Sequence, residues 1–193
     1  MEFGRQEASS ACYNPGMTSL QPWKEVRRET VLDNYGRAVD RVDYQLPSGR
    51  ISDYYIKREL DSLCVVALTP DHQVVMTRQF RPGPKAILLE LPGGGPNPGE
   101  TNEAAMAREL LEETGYTGDL RLVTPCIDDA YTELTRYVYV ATDCQKVAEP
   151  ILTDSELIET KLLSLTEFRD YLRSGQGTDI EAGYLGLDFL GLL

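Results

Sequence analysis

The sequence has few of the residue types on which nucleophilic and zinc chemistry depend. Its 193 residues include one histidine, His72, and four cysteines without a C-x-x-C pair: Cys12, Cys64, Cys126 and Cys144. Since closely spaced cysteine pairs are the usual signature of a zinc site, this spacing gives no zinc-site pattern. A Ser-His-Asp or Cys-His site would have to use His72, which lies in a turn-like stretch, and no G-x-S-x-G elbow occurs. If the chain is an enzyme, its acid and base are therefore expected to be carboxylates.

Basic residues are also scarce. There are 19 lysines and arginines against 31 acidic residues, which gives a net charge of −12. A surface this negative repels polyphosphate chains, so non-specific binding to a nucleic-acid polymer is not expected. No apolar run approaches the ~18 residues of a membrane-spanning helix. The first 17 residues lack the basic start and apolar core of a signal peptide. We therefore expect a cytoplasmic protein with reduced thiols and no membrane association.

What the sequence does contain is an alternation of strand-like and helix-like segments, which predicts a mixed α/β (α+β) chain. The predicted strands are 24–32, 37–46, 50–57, 62–68, 73–80, 86–91, 119–125, 132–141 and 157–163. The predicted helices are 102–114, 166–173 and 179–192. Turn residues separate the first three strands, which predicts an antiparallel meander over 17–59, ahead of a domain over 60–193. The polar residues 1–16 are expected to be a flexible leader.

The predicted helix 102–114 carries three glutamates on one arc. Glu109 stands at i,i+3 from Glu112 and at i,i+4 from Glu113, so these carboxylates repel one another. A hard divalent cation would reverse that repulsion, because carboxylate oxygens are preferred ligands of Mg²⁺ and Mn²⁺. A solvated acidic helix face is the alternative in a chain this acidic. The core-facing side of the helix is expected to consist of Ala104, Ala107 and Leu111.

The residues around this helix follow one fixed pattern. Gly94 is followed after five residues by Glu100, and after seven more by the run RELLEETGY at 108–116. This matches G-x5-E-x7-R-E-U-x-E-E-x-G-U, where U is a bulky apolar residue, and only Tyr116 is a polar-tipped member of its class. The chain therefore resembles the Nudix hydrolases. That resemblance implies an α/β/α sandwich with a mixed sheet behind the N-terminal meander.

The resemblance also implies attack of water on a diphosphate linked to another group, with Mg²⁺ (or Mn²⁺) as the cofactor. The implied metal ligands are Glu109, Glu112, Glu113, a loop carbonyl near Gly94, and Glu133, which follows the box. Glu112 is also a candidate catalytic group. Glu100 and Arg108 are more simply explained as an ion pair that holds the glycine loop to the helix. The candidates for the general base are Glu156 and then Asp154, in an acidic segment before the last predicted strand.

Features outside the box resemble the subgroup of Nudix enzymes that split ADP-ribose and other nucleoside diphosphate sugars. They are the run ELPGGG at 90–95, the run RQFR at 78–81 and the meander. The substrate-binding candidates are Arg81 and Arg78 for the phosphates, Trp23 for stacking on the base, and Glu133. Three tyrosines are alternatives for the base: Tyr35, Tyr54 and Tyr55. In this subgroup the N-terminal strands join two subunits, which implies a homodimer acting on a nucleotide sugar.

One stretch departs from the ADP-ribose hydrolase pattern. Residues 127–131 read IDDAY and lack the proline of that subgroup, whereas Tyr131 resembles a tyrosine of dinucleoside polyphosphate hydrolases. The substrate alternatives are a dinucleoside polyphosphate, a nucleoside triphosphate or a coenzyme A compound. A non-catalytic Nudix module that senses a nucleotide is the alternative to an enzyme.

Overall fold

The computed structural model describes residues 20–151 and 157–193, and these residues form two β-sheets and three α-helices. The strands are β1 Lys24–Asn34, β2 Arg37–Gln45, β3 Ile51–Arg58, β4 Ser62–Leu68, β5 Gln73–Arg81, β6 Ala86–Glu90, β7 Gly93–Gly94, β8 Tyr116–Ile127, β9 Thr135–Lys146 and β10 Ile158–Ser164. The helices are α1 Asn102–Thr114, α2 Leu165–Ser174 and α3 Ile180–Phe189. No helix among these residues is long and apolar enough to cross a membrane.

The first three strands form an antiparallel sheet of their own, in the order β1-β2-β3. Tyr35 and Gly36 have φ values of 53° and 73°, which a two-residue hairpin turn between β1 and β2 requires. In β2 the alternate residues Ala38, Asp40 and Val42 are buried, whereas every residue of β1 is exposed. Among the described residues, β1 is therefore an edge strand on which most side chains are accessible to solvent.

The second sheet is mixed and carries the rest of the fold. Its main order is β10-β5-β4-β9-β8, with β6 paired to β5 and β7 to β4. β4 runs parallel to β9, and the remaining pairs are antiparallel. The neighbours Val65 and Val66 of β4 belong to two separate core clusters, as alternation along a strand requires. Met106 and Leu110 of α1 pack into one cluster, and Phe168 of α2 packs into the other. The predicted α/β/α sandwich with a mixed sheet is confirmed.

α1 begins and ends where the sequence predicts. Thr101 caps it by accepting a hydrogen bond from the Ala104 N–H at 3.2 Å, and Gly115 ends it with a φ of 77°. The predicted core face is wrong: Ala104 and Ala107 are exposed and line a groove against β8, and Leu111 is only partly buried. The buried residues are Ala105, Met106, Leu110 and Thr114. The alanines face outward because α1 packs its glutamate side towards the glycine loop.

The last two helices close the other face of the sheet. Ser164 and Glu167 form a capping box at the start of α2, in which each side chain accepts a hydrogen bond from the other residue's backbone N–H. α3 packs closely on β4 at Gly186, where a Cβ would approach Cγ2 of Val66 to 2.5 Å. α3 ends at Phe189, three residues before the predicted end.

Candidate active site

The glycine loop lies directly against α1. Gly93 and Gly94 form the short strand β7, which pairs with β4. The Gly93 N–H donates a hydrogen bond to Glu113 Oε2 at 2.9 Å. A Cβ at Gly94 would lie 2.4 Å from Cδ of Glu109, so only glycine leaves room for that carboxylate. Two of the three glutamates predicted to act together are therefore placed at the backbone of the loop.

Arg108 connects the loop to the acidic side of α1. Its Nε and Nη2 each donate to one carboxylate oxygen of Glu100 at 3.0 Å, and Nη2 also donates to the Gly95 carbonyl at 3.1 Å. Its Nη1 donates to Glu109 at 3.0 Å and to Glu112 at 2.9 Å. Hydrogen bonds to Glu100 above all raise the pKa of Arg108, and Arg108 in turn lowers the pKa of Glu100. The structure confirms the expected ion pair of Glu100 and Arg108.

The donor chemistry on this side of α1 suits a hard divalent cation, because carboxylate oxygens are the ligands that Mg²⁺ and Mn²⁺ prefer. The side chain of Glu109 is 17% exposed and that of Glu112 is 41% exposed, so the pair runs from the loop out to solvent. Across residues 20–151 and 157–193, no group of three or more His, Cys, Asp or Glu side chains is arranged to hold a metal ion. Instead Arg108 supplies the positive charge at both glutamates. Glu109 and Glu112 therefore have suitable ligand atoms for a divalent cation. Such a cation would take the place of the Arg108 guanidinium beside these two carboxylates.

Two arginines of β5 have different partners. The Arg81 guanidinium binds the Glu90 carboxylate, with Nε 2.9 and 2.8 Å from the two oxygens and Nη2 2.8 Å from Oε2. Arg78 donates to Glu159 of β10 at 3.1 Å. Both arginine side chains are nearly half exposed, but Glu90 is buried whereas Glu159 is 60% exposed. Arg81 is thus the more firmly held of the two.

Trp23 belongs to an aromatic cluster on the N-terminal sheet. Its ring centroid lies 5.5 Å from that of Tyr54 and 6.3 Å from that of Tyr44. Tyr54 in turn stacks on Tyr131 at 6.4 Å, with an interplanar angle of 15°. Trp23 and Tyr131 are each about half exposed. The cluster therefore joins the sheet to the segment before β9 and offers an exposed ring at each end.

Glu133 connects that same segment to the N-terminal sheet. Its carboxylate is 2.8 Å from Nη1 of Arg28 in β1, and its N–H donates to the Lys57 carbonyl of β3 at 2.9 Å. The Lys57 ammonium pairs with Asp129 in the same segment. The side chain of Glu133 is 44% exposed, so it remains accessible to a ligand.

Asp40 of β2 is the buried centre of this connection. It is 1% exposed and accepts hydrogen bonds from Arg58, Thr30 and Arg28, which lower its pKa to about 2. The ordinary pKa is about 3.9, so the ionised carboxylate stabilises the fold above about pH 4, and this contribution disappears as the pH falls to about 2. We expect urea unfolding to show that Asp40→Asn is less stable than the wild type at neutral pH, and that the difference shrinks over that acid range.

The control for this pH dependence is Asp33→Asn, the same substitution at an exposed position of β1. Its stability should follow that of the wild type at every pH. A constant difference between Asp40→Asn and the wild type from pH ~4 to pH ~2 would contradict the role assigned to the ionised carboxylate.

The single histidine and the thiols offer no nucleophilic site in the described chain. His72 lies exposed in the β4–β5 turn with a φ of 59°, as the sequence predicts. The cysteines of the described residues are free: Cys64, Cys126 and Cys144. Burial raises the pKa of the Cys64 thiol, and raises that of Cys144 to about 11. These two thiols are therefore protonated at neutral pH.

Two predicted site residues cannot be placed, and two buried carboxylates were not predicted. The base candidates Glu156 and Asp154 lie outside the described residues. Sequence reasoning missed Glu90, which is 2% exposed, and Asp40. A signal was present for both: Glu90 interrupts the apolar run at 87–91, and Asp40 shares the alternation of the buried residues in β2.

Comparison with known proteins identifies the family. The model of the NUDIX domain matches residues 58–180. The ADP-ribose pyrophosphatase of Bacillus subtilis is 26% identical over 173 residues, which are 87% of this chain and 92% of that protein. The ADP-sugar pyrophosphatase of Mus musculus is 32% identical over 125 residues, which are 62% of this chain and 55% of the mouse protein. A crystal structure of an ADP compounds hydrolase superposes with a TM-score of 0.74 at 23% identity, over 91% of this chain and 99% of the other. Because the family model spans well over half of the sequence, the chain belongs to the NUDIX family.

Proposed function

We propose that this protein is a pyrophosphohydrolase that splits a nucleoside diphosphate linked to a sugar, such as ADP-ribose, into a nucleoside monophosphate and a sugar phosphate. The observation that carries the proposal is the packing of Glu109 and Glu113 against the glycine loop, beside the half-exposed Glu112. The names of the Bacillus subtilis and mouse relatives support the choice of substrate.

Nudix hydrolases generally need a divalent metal, and we propose Mg²⁺ or Mn²⁺ for this protein. The residues that would hold it are Glu109, Glu112, Glu113, the backbone carbonyl near Gly94, and Glu133. When bound, the cation neutralises charge on the diphosphate oxygens and lowers the pKa of the attacking water. Arg108 keeps the loop in place through Glu100, and this bond does not involve the oxygens offered to the metal.

We assign phosphate binding to exposed arginines, base stacking to an exposed aromatic ring, and proton transfer to acidic residues. Arg81 and Arg78 would bind phosphate oxygens, for which the planar guanidinium has suitable paired donors. Trp23 is proposed for the base, since its half-exposed ring is fixed by Tyr54 and Tyr44. The proposed general base is Glu156, with Asp154 as the second choice, and Glu112 is a further candidate for direct action on the water.

We also propose a homodimer through the N-terminal strands, in which 17–59 is the dimerising meander and 60–193 the hydrolase domain. β1 is exposed along its whole length and presents Val26, Val31 and Leu32, each about half exposed. Val26 and Val31 fall at the two register shifts of the β1–β2 pairing. A strand with this exposure is a common site of association with a second chain. The free thiols of the described cysteines support the proposed cytoplasmic location.

The proposed function is tested with a substrate panel in Mg²⁺ and in Mn²⁺. ADP-ribose and other nucleoside diphosphate sugars should be hydrolysed to a nucleoside monophosphate and a sugar phosphate, and ¹⁸O-labelled water should place the label on one product. Preferred turnover of nucleoside triphosphates, dinucleoside polyphosphates or coenzyme A would contradict the sugar substrate. Tight binding of ADP-ribose without cleavage in either metal would indicate a nucleotide-sensing module instead.

A further inference from the structure

Glu90 is a buried carboxylate with a partner on each oxygen. It is 2% exposed, and Arg81 binds both of its oxygens through Nε and Nη2 at 2.8–2.9 Å. The Thr178 hydroxyl donates a third hydrogen bond to Oε1 at 2.9 Å. A charge removed from water persists only when it is paired and hydrogen-bonded, and this carboxylate meets both conditions. The Glu90 carboxylate is therefore held in one position and in turn orients the Arg81 guanidinium.

Arg81 is fixed along one edge of its guanidinium and accessible elsewhere. Its side chain is 46% exposed although its partner is buried. The guanidinium has five N–H donors in one plane, and Nη1 has no hydrogen-bond partner among the described residues. Arg108 differs, because its three nitrogens are occupied by three glutamates and a carbonyl. An oriented arginine with unused donors is suited to binding an anion.

Glu90 also lies at the start of the glycine loop. It is the last residue of β6 and is paired with Thr77 of β5, whose hydroxyl donates to the Glu90 carbonyl at 3.2 Å. Three residues later Gly93 donates to Glu113 of α1. The side chain of Glu90 thus binds Arg81, while its backbone is hydrogen-bonded to Thr77 of β5 just before the glycine loop.

Thr178 brings the connection between α2 and α3 into the same network. Its hydroxyl is also 3.2 Å from an oxygen of Asp179, which is a competing acceptor. Asp179 has its own positive partner in Arg136 at 3.2 Å, and Nη1 of Arg136 donates to the Thr178 carbonyl at 3.3 Å. Because Arg136 neutralises Asp179, the single hydroxyl proton of Thr178 can serve Glu90.

We propose that Glu90 and Thr178 are positioning residues that hold Arg81 with its unused donors available to the diphosphate of the substrate. The inference rests on the proposed function for the identity of the substrate, and it adds which residues outside the box at 94–116 prepare the anion site. Neither residue touches the substrate; each acts through the orientation of Arg81.

The test compares Thr178→Val, which removes the hydroxyl at constant shape, with Thr178→Ser, which keeps it. For ADP-ribose we expect Thr178→Val to raise KM about three- to tenfold with little change in kcat. This is less than the loss of a direct hydrogen bond to a charged group, because Thr178 acts on the substrate only through Glu90 and Arg81. Thr178→Ser should restore the wild-type KM. The matched control is Thr160→Val on β10, because Oγ1 of Thr160 is buried without a hydrogen-bond partner among the described residues.

A second measurement separates this inference from the proposed function. Calorimetric titration with inorganic pyrophosphate, without metal, reports anion binding and needs no turnover. Thr178→Val should weaken this binding, and should have no further effect once Arg81→Ala has been introduced, since the two act through one group. The inference is wrong if Thr178→Val lowers the melting temperature but leaves the Kd for pyrophosphate unchanged. It is also wrong if Thr178→Val weakens pyrophosphate binding by the same factor in the wild type and in the Arg81→Ala variant. If the pyrophosphate results hold while no nucleotide sugar is cleaved, only the proposed function fails.

Discussion

Replacing Glu112 by glutamine should lower kcat for ADP-ribose by about 10²- to 10⁴-fold, because the cation that this carboxylate is proposed to hold would supply several kcal/mol of charge stabilisation. The side chain is 41% exposed and its partner in the described structure is Arg108, at i,i−4 on the same helix. The amide oxygen of glutamine still accepts that hydrogen bond, and one repulsion with Glu109 disappears. The free energy of unfolding without metal should therefore change by no more than about 0.5 kcal/mol. Steady-state kinetics and urea unfolding check the two expectations separately.

The control for this variant lies on the same helix. Glu103 is in the first turn of α1 and lines the groove against β8, on the side away from the glycine loop. Glu103→Gln should keep wild-type kcat. Thermal unfolding with and without MnCl₂ adds a direct reading, since a bound ligand raises the melting temperature of the wild type and of Glu103→Gln. Equal turnover and an equal manganese shift in Glu112→Gln would refute the metal role of the α1 glutamates.

The elements of the fold could be predicted from the sequence because their signals are local. Thr101 and Gly115 mark the two ends of α1, and the structure has both caps. The orientation of α1 could not be predicted in the same way. A helical wheel shows which residues share a side, and the apolar residues predicted that Ala104, Ala107 and Leu111 face the core. This prediction is wrong, since α1 packs the Glu109 carboxylate against the glycine loop and leaves Ala104 and Ala107 exposed.

The candidate site was predictable only where one motif contains it. The residues of the box are close in sequence, so their arrangement follows from one loop and one helix, and the ion pair of Glu100 and Arg108 is where it was expected. The partner of Arg81 depends on the pairing of β5 with β6 and on the α2–α3 connection. No local signal specifies that register. The sequence marks Glu90 as unusual, but its contacts with Arg81 and Thr178 become visible only in the folded chain.

Two neighbouring glycines of the loop should respond differently to alanine. At Gly93 the new Cβ would lie 2.2 Å from the Leu63 carbonyl oxygen, which belongs to the backbone of buried β4 and cannot move freely. Gly93→Ala should therefore destabilise the fold by about 2 to 3 kcal/mol, the usual cost of overpacking a core. At Gly94 the Cβ would meet the Glu109 carboxylate at 2.4 Å, and this is the flexible end of a side chain. Gly94→Ala should move Glu109, keep the stability within about 1 kcal/mol and reduce kcat by about 10²-fold.

Urea unfolding and steady-state kinetics on both variants distinguish the two effects, and Gly83→Ala is the matched control. A Cβ at Gly83 would meet no described atom within 4 Å, so this variant should retain wild-type stability and activity. A Gly94→Ala enzyme with wild-type kcat would mean that the position of Glu109 is not critical for turnover. A Gly94→Ala protein as unstable as Gly93→Ala would mean that the loop backbone, rather than the carboxylate, gives way. In that case Gly94 is required for the stability of the fold, and its contact with Glu109 is not required for catalysis.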